Sequence, residues 1–290
     1  MDVDAVQAVR DTLRGGGWRV DVLATHRPGD ARRFATEALA DGYDALVTYG
    51  GDGTAMQAAA ALVGSEMPLG LVPGGTGNLL AGNLRLPRRP DAAARAILKS
   101  RPRPIDLGAV ERPDGTHYFA VACGAGFDAV VMAGTGSADK QKWKFSAYVA
   151  TMLQVLPAVK SVPFRVTVDG VPHDVPAALV LIANCGELVP PFMRLGKNVL
   201  PDDGVFDVIG VQAEGVTGGL LAFLHVLRGI DVASPRVWVA RGHEIGVALA
   251  SGPQQPMEMD GDPAGDTPFV ARVVPGAVRI LTPNSKSRHA

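Results

Sequence analysis

The 290 residues are 47% hydrophobic and 20% charged, with a net charge of −1. That is the balance of a globular chain long enough for two domains, each with its own core. It excludes a generally basic nucleic-acid binder and leaves any attraction to an anionic surface to local patches. No stretch reaches the roughly 18 apolar residues of a membrane span, and the acidic, amphipathic start MDVDAVQAVRDTL is not a signal peptide. Cys123 and Cys185 each lie in an apolar run and read as small buried hydrophobes of a reducing compartment. A cytosolic protein with surface contact to a membrane is expected.

The first hundred residues alternate between helix and strand periodicity. Val3, Val6, Val9 and Leu13 share a helical face that ends at Gly15-Gly16-Gly17. Trp18–Thr25 reads as a strand, and Gly29–Gly42 as a helix with Phe34, Ala38 and Leu39 facing inwards. Ala45–Tyr49 is a second strand, and the alanine-rich run from about Thr54 to Val63 is a helix. Pro68–Pro73 is a third strand, and Pro90–Ser100 a helix with proline in its first turn. This alternation predicts an α/β domain built on a parallel sheet.

After Asp106 the texture changes to valine-rich strands separated by turn signals. VTVDGVPHDV is a hairpin with an Asp-Gly turn. Helices are expected only near Trp143–Leu156 and Val216–Arg228. The second half therefore reads as a mostly antiparallel β-sandwich. The boundaries are 1–106 for the nucleotide-binding domain and 107–274 for the β-domain, with 275–290 a candidate to rejoin the first.

Two strands end in glycine-rich turns, GGDGT (Gly50–Thr54) and GGTGN (Gly74–Asn78). Backbone N–H groups of such turns form an anion nest, and a following helix adds partial positive charge. In a parallel sheet both turns lie at the carboxyl ends of the strands, where ligands bind. Plain tight turns are the competing explanation, weakened by there being two. No Walker-type G-x-x-x-x-G-K-[ST] is present. GAGFDA (Gly124–Ala129) fits a dinucleotide fingerprint but lies in the β half, so it reads as a turn. The six histidines lack metal-ligand spacing, and no G-x-S-x-G occurs.

GGDGTAMQAAAAL, PLGLVPGGTGNLLAGNL, RPIDLGAV, GAGFDA, LPDDGVFDV and MEMDGD, in that order, resemble the lipid kinase family of bacterial diacylglycerol kinases and sphingosine kinases. The resemblance covers nearly the whole chain. It implies an α/β nucleotide domain, a β-sandwich domain, an active site in the cleft between them, and ATP-dependent phosphorylation of a lipid hydroxyl, most simply diacylglycerol to phosphatidic acid. By that resemblance Gly50, Gly51, Asp52, Gly53 and Thr54 hold ATP phosphates, with Thr25, Gly75, Thr76 and Asn78 as further nucleotide contacts. Asp52 acts on the transfer as metal ligand or base, with turn capping as its competing role. Mg²⁺ is expected with ATP. LPDDGVFDV resembles the family's structural Mg²⁺ loop, with a carboxylate from Asp203 and carbonyls from Leu200 and Val205; a plain inter-strand turn is the alternative.

Asp262 stands where the family carries the glutamate proposed to deprotonate the lipid, one methylene shorter. Leu79 replaces the aspartate usual after the Asn in diacylglycerol kinases, so a sphingosine-type or other acceptor stays open. The chain opens on a helix where the family opens on a strand, which leads us to expect a start further upstream. Arg85–Arg103 and KQKWKF (Lys140–Phe145) are candidate membrane contacts, the first more simply a solvated basic face. Expected partners are ATP and a lipid at the inner face of the membrane, with a homodimer as a candidate assembly and no nucleic acid. An NAD kinase-like enzyme and a binding protein that has lost catalysis are the rival functions.

Overall fold

The structure is a computed structural model and describes residues 2–126, 159–189, 193–196, 198–228 and 234–283. The helix expected near Trp143–Leu156, the KQKWKF segment and the last three residues of GAGFDA lie outside them. The chain divides into two compact units, Met1–Ile105 with Gly276–Ala290, and Asp106–Pro275.

The first unit runs α1 (Val3–Gly15), α2 (Asp30–Ala40), β1 (Leu46–Gly50), α3 (Asp52–Leu62), β2 (Leu69–Pro73), α4 (Leu79–Asn83) and α5 (Pro90–Ile97). β1 and β2 are parallel and in step from Leu46↔Leu69 to Gly50↔Pro73. The end of β16 (Phe269–Pro283) adds a third parallel strand through Ile280↔Leu69. Val9 and Leu13 of α1 pack with Ala93, Ala94 and Ile97 of α5 over Val72 and Leu281.

The Asp2 carboxylate caps α1 by accepting the Ala5 N–H at 3.2 Å. The apolar stripe expected from Val3 begins later, since Val3 is 65% exposed. At 1.5 Å rise per residue α1 is about 20 Å long and α5 about 12 Å, so α5 alone is too short to cover the whole of α1.

Trp18–Thr25 is not a strand; the segment makes no ladder, and Val22 and Leu23 are exposed. Alternation marks the two faces of an extended chain but cannot supply the neighbour that a ladder requires. In α2 the buried residues are Ala31 and Ala35, while Phe34, Ala38 and Leu39 are only half-buried. The helix packs on α3, whose Ala58 and Ala59 are fully buried.

The second unit contains the later part of β3 (Ser100–Arg112), β4 (Gly115–Phe119), β5 (Ala122–Gly126), β6 (Val162–Val168), β7 (Val171–Ala177), β8 (Leu179–Ala183), β9 (Glu187–Val189), β10 (Met193–Arg194), β11 (Phe206–Val211), α6 (Gly215–Arg228), β12 (Val237–Gly242), β13 (Glu244–Leu249), β14 (Pro256–Met259), β15 (Asp262–Asp266) and the first part of β16. One sheet has the order β12-β11-β8-β5-β14-β15, antiparallel throughout. The other carries β16-β13-β6-β7, also antiparallel. Their inner faces share one core, in which the Phe119 and Phe206 rings stack with centroids 5.6 Å apart.

The expected hairpin is β6–β7, with Asp169 and Gly170 both at positive φ (46° and 84°), a type I′ turn. The Asp169 carboxylate accepts the His243 and Glu244 N–H groups at 2.8 Å each, which lowers its pKa. FVARVV and AVRILTP, two of the valine-rich runs expected as separate strands, are parts of the single 15-residue β16. Gly124–Gly126 is no turn. It lies inside β5, bonded to β8 on one side and β14 on the other, because the sheet needs a strand between them.

Phe119 fills the space beside Gly108, whose missing Cβ would collide with its ring. Phe119→Ala should therefore cost about 3–5 kcal/mol. Urea unfolding followed by fluorescence should show a lower midpoint with the slope unchanged.

Candidate functional site

Because β1 and β2 end level at Gly50↔Pro73, the turns that follow them emerge side by side. They are joined. The Gly50 carbonyl accepts the Gly74 N–H at 2.8 Å and the Gly75 N–H at 3.2 Å. Gly51 and Gly75 touch backbone to backbone, so that a Cβ on Gly75 would run into Gly51 Cα. The Asp52 carboxylate reaches across and accepts the Leu79 N–H at 2.6 Å. Gly77 is glycine for that reason, since a Cβ there would strike the Asp52 carboxylate. Asn78, at φ 49°, closes the second turn: its Oδ1 accepts the Gly75 N–H at 3.0 Å, and its Nδ2 donates to the Gly75 carbonyl at 2.8 Å.

α3 starts on this assembly with Gly51 as its N-cap, and no side chain caps it. The first-turn N–H groups of an uncapped helix lack acceptors and carry the positive end of the dipole. A Cβ on Gly53 would meet nothing within 4 Å, so the first turn of α3 has open space beside it. Thr54 packs its side chain on Gly50, and Thr76 is exposed at the tip of the second turn. Among the described residues, no hydrogen bond joins Thr25 to either turn. Its loop is tied instead to α3, where Gln57 Oε1 accepts the Gly29 N–H at 3.0 Å. The Asp30 carboxylate accepts the His26 and Arg27 N–H groups, which lowers its pKa.

The remaining expected site residues belong to the second unit. Asp203 pairs with Arg241, which also reaches Asp207 at 3.3 Å. The Asp203 carboxylate also accepts the Val205 N–H at 3.4 Å. Leu200 and Val205 are half-buried on the same loop. Carboxylate and carbonyl oxygens on one tight loop suit a hard cation, and these donors fit Mg²⁺ once Arg241 yields Asp203. Among the described residues, no three His, Cys, Asp or Glu side chains gather as a metal site. Asp262 opens β15 with its side chain exposed.

Three acids lie inside the quoted motifs RPIDLGAV and MEMDGD but were given no role from the sequence. Asp106, 4% exposed, accepts the Gly204 N–H on Oδ2 at 2.7 Å and donates its own N–H to the Pro201 carbonyl at 2.7 Å, pinning the 200–205 loop. Asp260 accepts the N–H groups of Ala120, Val121 and Ala122. Glu258, 3% exposed, accepts the Gly261 N–H at 2.6 Å. An acid inside an otherwise apolar strand, as in RPIDLGAV and PMEMDGD, was the available signal. In the basic segment, Asp91 takes both Arg89 and Arg95, at 3.2 and 2.7 Å. Among the described residues, no helix is long and apolar enough to cross a membrane.

A glycine-turn α/β unit on parallel strands, followed by an antiparallel sandwich, is the architecture of solved diacylglycerol kinase-like proteins. A Bacillus anthracis str. Sterne structure described as a "putative diacylglycerol kinase" matches 96% of this chain and 91% of its own, with TM-score 0.79 and 23% identity. That likeness concerns the fold. Residues 2–110 match the diacylglycerol kinase catalytic domain, and residues 121–282 the YegS C-terminal NAD kinase beta sandwich-like domain. A "Diacylglycerol kinase" of Mycobacterium tuberculosis is 31% identical over 260 residues, spanning 88% of this chain and 82% of its own. A "Probable lipid kinase YegS-like" protein of Xanthomonas euvesicatoria is 32% identical over 291 residues, spanning 97% and 92%. The chain belongs to the diacylglycerol kinase and YegS-like lipid kinase family.

The crowding separates the glycines by purpose. Gly75→Ala must push the two turns apart, at a cost of about 1–3 kcal/mol, and should abolish nucleotide binding measured by calorimetry. Gly53→Ala has room within the protein and should leave the melting temperature unchanged or raised, so any loss of binding there reports the ligand's own space.

Proposed function

We propose that this protein is an ATP-dependent lipid kinase acting at the inner, cytoplasmic face of a membrane, with diacylglycerol as acceptor and phosphatidic acid as product. The observation that supports it most is the pair of joined turns beside the uncapped start of α3, with Asp52 fixed between them. N–H groups of the Gly50–Thr54 turn and of residues 76–78 would hold the phosphates of Mg-ATP, with Gly75 joining the turns and Thr25 and Thr76 at the edge of the nucleotide.

Phosphoryl transfer gains mainly from positioning and charge neutralisation. The lipid hydroxyl oxygen bonds to the γ-phosphorus while the bond to the β–γ bridging oxygen breaks, and ADP leaves. The hydroxyl proton passes to a carboxylate, Asp262 or Asp52. Asp52 is anchored by the Leu79 N–H, which fixes its carboxylate where the two turns meet. Leu200, Asp203 and Val205 would hold a separate Mg²⁺ that stiffens its loop, and no step of the transfer passes through that ion.

Transfer of radiolabelled phosphate from Mg-ATP to lipids in mixed micelles tests the proposal. Label should enter diacylglycerol, and Asp52→Asn should lower the rate by about 100-fold or more. Label in sphingosine or another lipid instead would reassign the acceptor. ATP binding with no labelled lipid would favour a binding protein, and label in NAD an NAD kinase-like enzyme.

The loop cation has its own test, without turnover. Added Mg²⁺ should raise the melting temperature of the nucleotide-free protein, as any ligand of the native state does. Asp203→Ala should remove the shift. Arg241→Ala, by freeing Asp203 from its competitor, should enlarge it.

A further inference from the structure

Asp260 and Gly261 form the two-residue turn between β14 and β15, with φ of 49° and 86°. Such a type I′ turn accepts Asn or Gly as readily as Asp, so the turn itself does not need a carboxylate. The carboxylate is nevertheless fully engaged. Oδ2 accepts the Ala120 N–H at 2.8 Å, and Oδ1 accepts the Val121 and Ala122 N–H groups at 2.7 and 3.1 Å. Ala120 and Val121 are 0% and 2% exposed and lie in the bend between β4 and β5, outside any ladder. The Asp260 N–H donates to the Ala122 carbonyl at 2.9 Å. The next peptide is held from the other side, where buried Glu258 accepts the Gly261 N–H. Asp262 follows immediately, its side chain exposed.

We propose that Asp260 is a positioning residue for Asp262: its carboxylate, gripped by three consecutive backbone N–H groups, fixes the turn from which the Asp262 side chain departs. The inference deepens the lipid kinase proposal and rests on it. A general base must come within about 2.6–3.2 Å of its proton, and a 1 Å misplacement costs on the order of 100-fold. An exposed carboxylate on a free two-residue turn would wander over more than that.

Asp260→Asn separates the roles. Asn keeps the turn and the volume, but its NH₂ group replaces one acceptor oxygen and faces N–H donors. We expect a folded protein in which the amides of residues 120–122 exchange hydrogen faster. Its kcat should fall at least tenfold, while KM for ATP stays within twofold. Should Asp260→Asn fail to fold, Asp260→Gly keeps the positive φ and lets water reach the three N–H groups, with the same kinetic result expected. Asp262→Ala runs alongside. Loss of activity in Asp262→Ala with kcat unchanged in the Asp260 variant overturns the role of Asp260 alone. Full activity in Asp262→Ala overturns its role as base, and the positioning role with it. No labelled lipid from the wild-type protein overturns the kinase proposal itself. A KM for ATP that rises in step with the fall in kcat would show a general structural role, and also overturns the inference.

Discussion

The candidate phosphate site depends on one contact, the backbone of Gly51 lying against the backbone of Gly75. Two strands that end level deliver two turns to one place, but side chains between them would hold the turns apart. Removing the side chains lets Gly50 bond to Gly74 and Gly75 and lets Asp52 reach Leu79. The conformational cost of glycine is here spent on proximity. Tyr49 adds to it, its ring lying where a Cβ of Gly74 would be, with burial raising its pKa. The result is a concave backbone surface whose shape is set by the protein's own contacts.

Carboxylates do the same work elsewhere. Asp30, Asp52, Asp106, Asp169 and Asp260 each accept at least one backbone N–H from a turn or strand end. Charge-assisted bonds of this kind are the stronger ones, and they satisfy N–H groups that regular structure leaves over. Against that background Asp203 and Asp262 differ. Asp203 gives one oxygen to a guanidinium and only a long contact to backbone. Asp262 takes no backbone bond among the described residues. Neither carboxylate is fixed chiefly by backbone N–H groups, whereas Asp52 is held by the Leu79 N–H at the place where it would act.

Much of this was legible in the residues. Strand-helix alternation gave the parallel core, and the Asp-Gly signal gave the β6–β7 turn with both φ values positive. The two glycine turns were found by their composition, and the level register of β1 and β2 brings them together. Trp18–Thr25 could not be judged, because a strand is defined by a neighbour and alternation names only faces. On α2 the deepest residues are Ala31 and Ala35 and not Phe34, so size and apolarity pointed to the wrong side of the helix. Asp260 stood in the quoted MEMDGD segment, but what it does there was not legible. Its partners are main-chain groups some 140 positions away, and backbone N–H groups leave no mark in a sequence.

The clamp on Asp260 bears on the shortened carboxylate beside it. Asp in place of Glu withdraws the charge by about one C–C bond, roughly 1.5 Å. A loose turn could recover that distance by shifting its backbone. This turn is held by Asp260 on one side and Glu258 on the other, and a shift would strip acceptors from buried N–H groups. Compensation from the turn is therefore closed off. If Asp262 serves as the base, the acceptor hydroxyl must come to the carboxylate, and the shorter side chain becomes a constraint on which lipid headgroup can be phosphorylated.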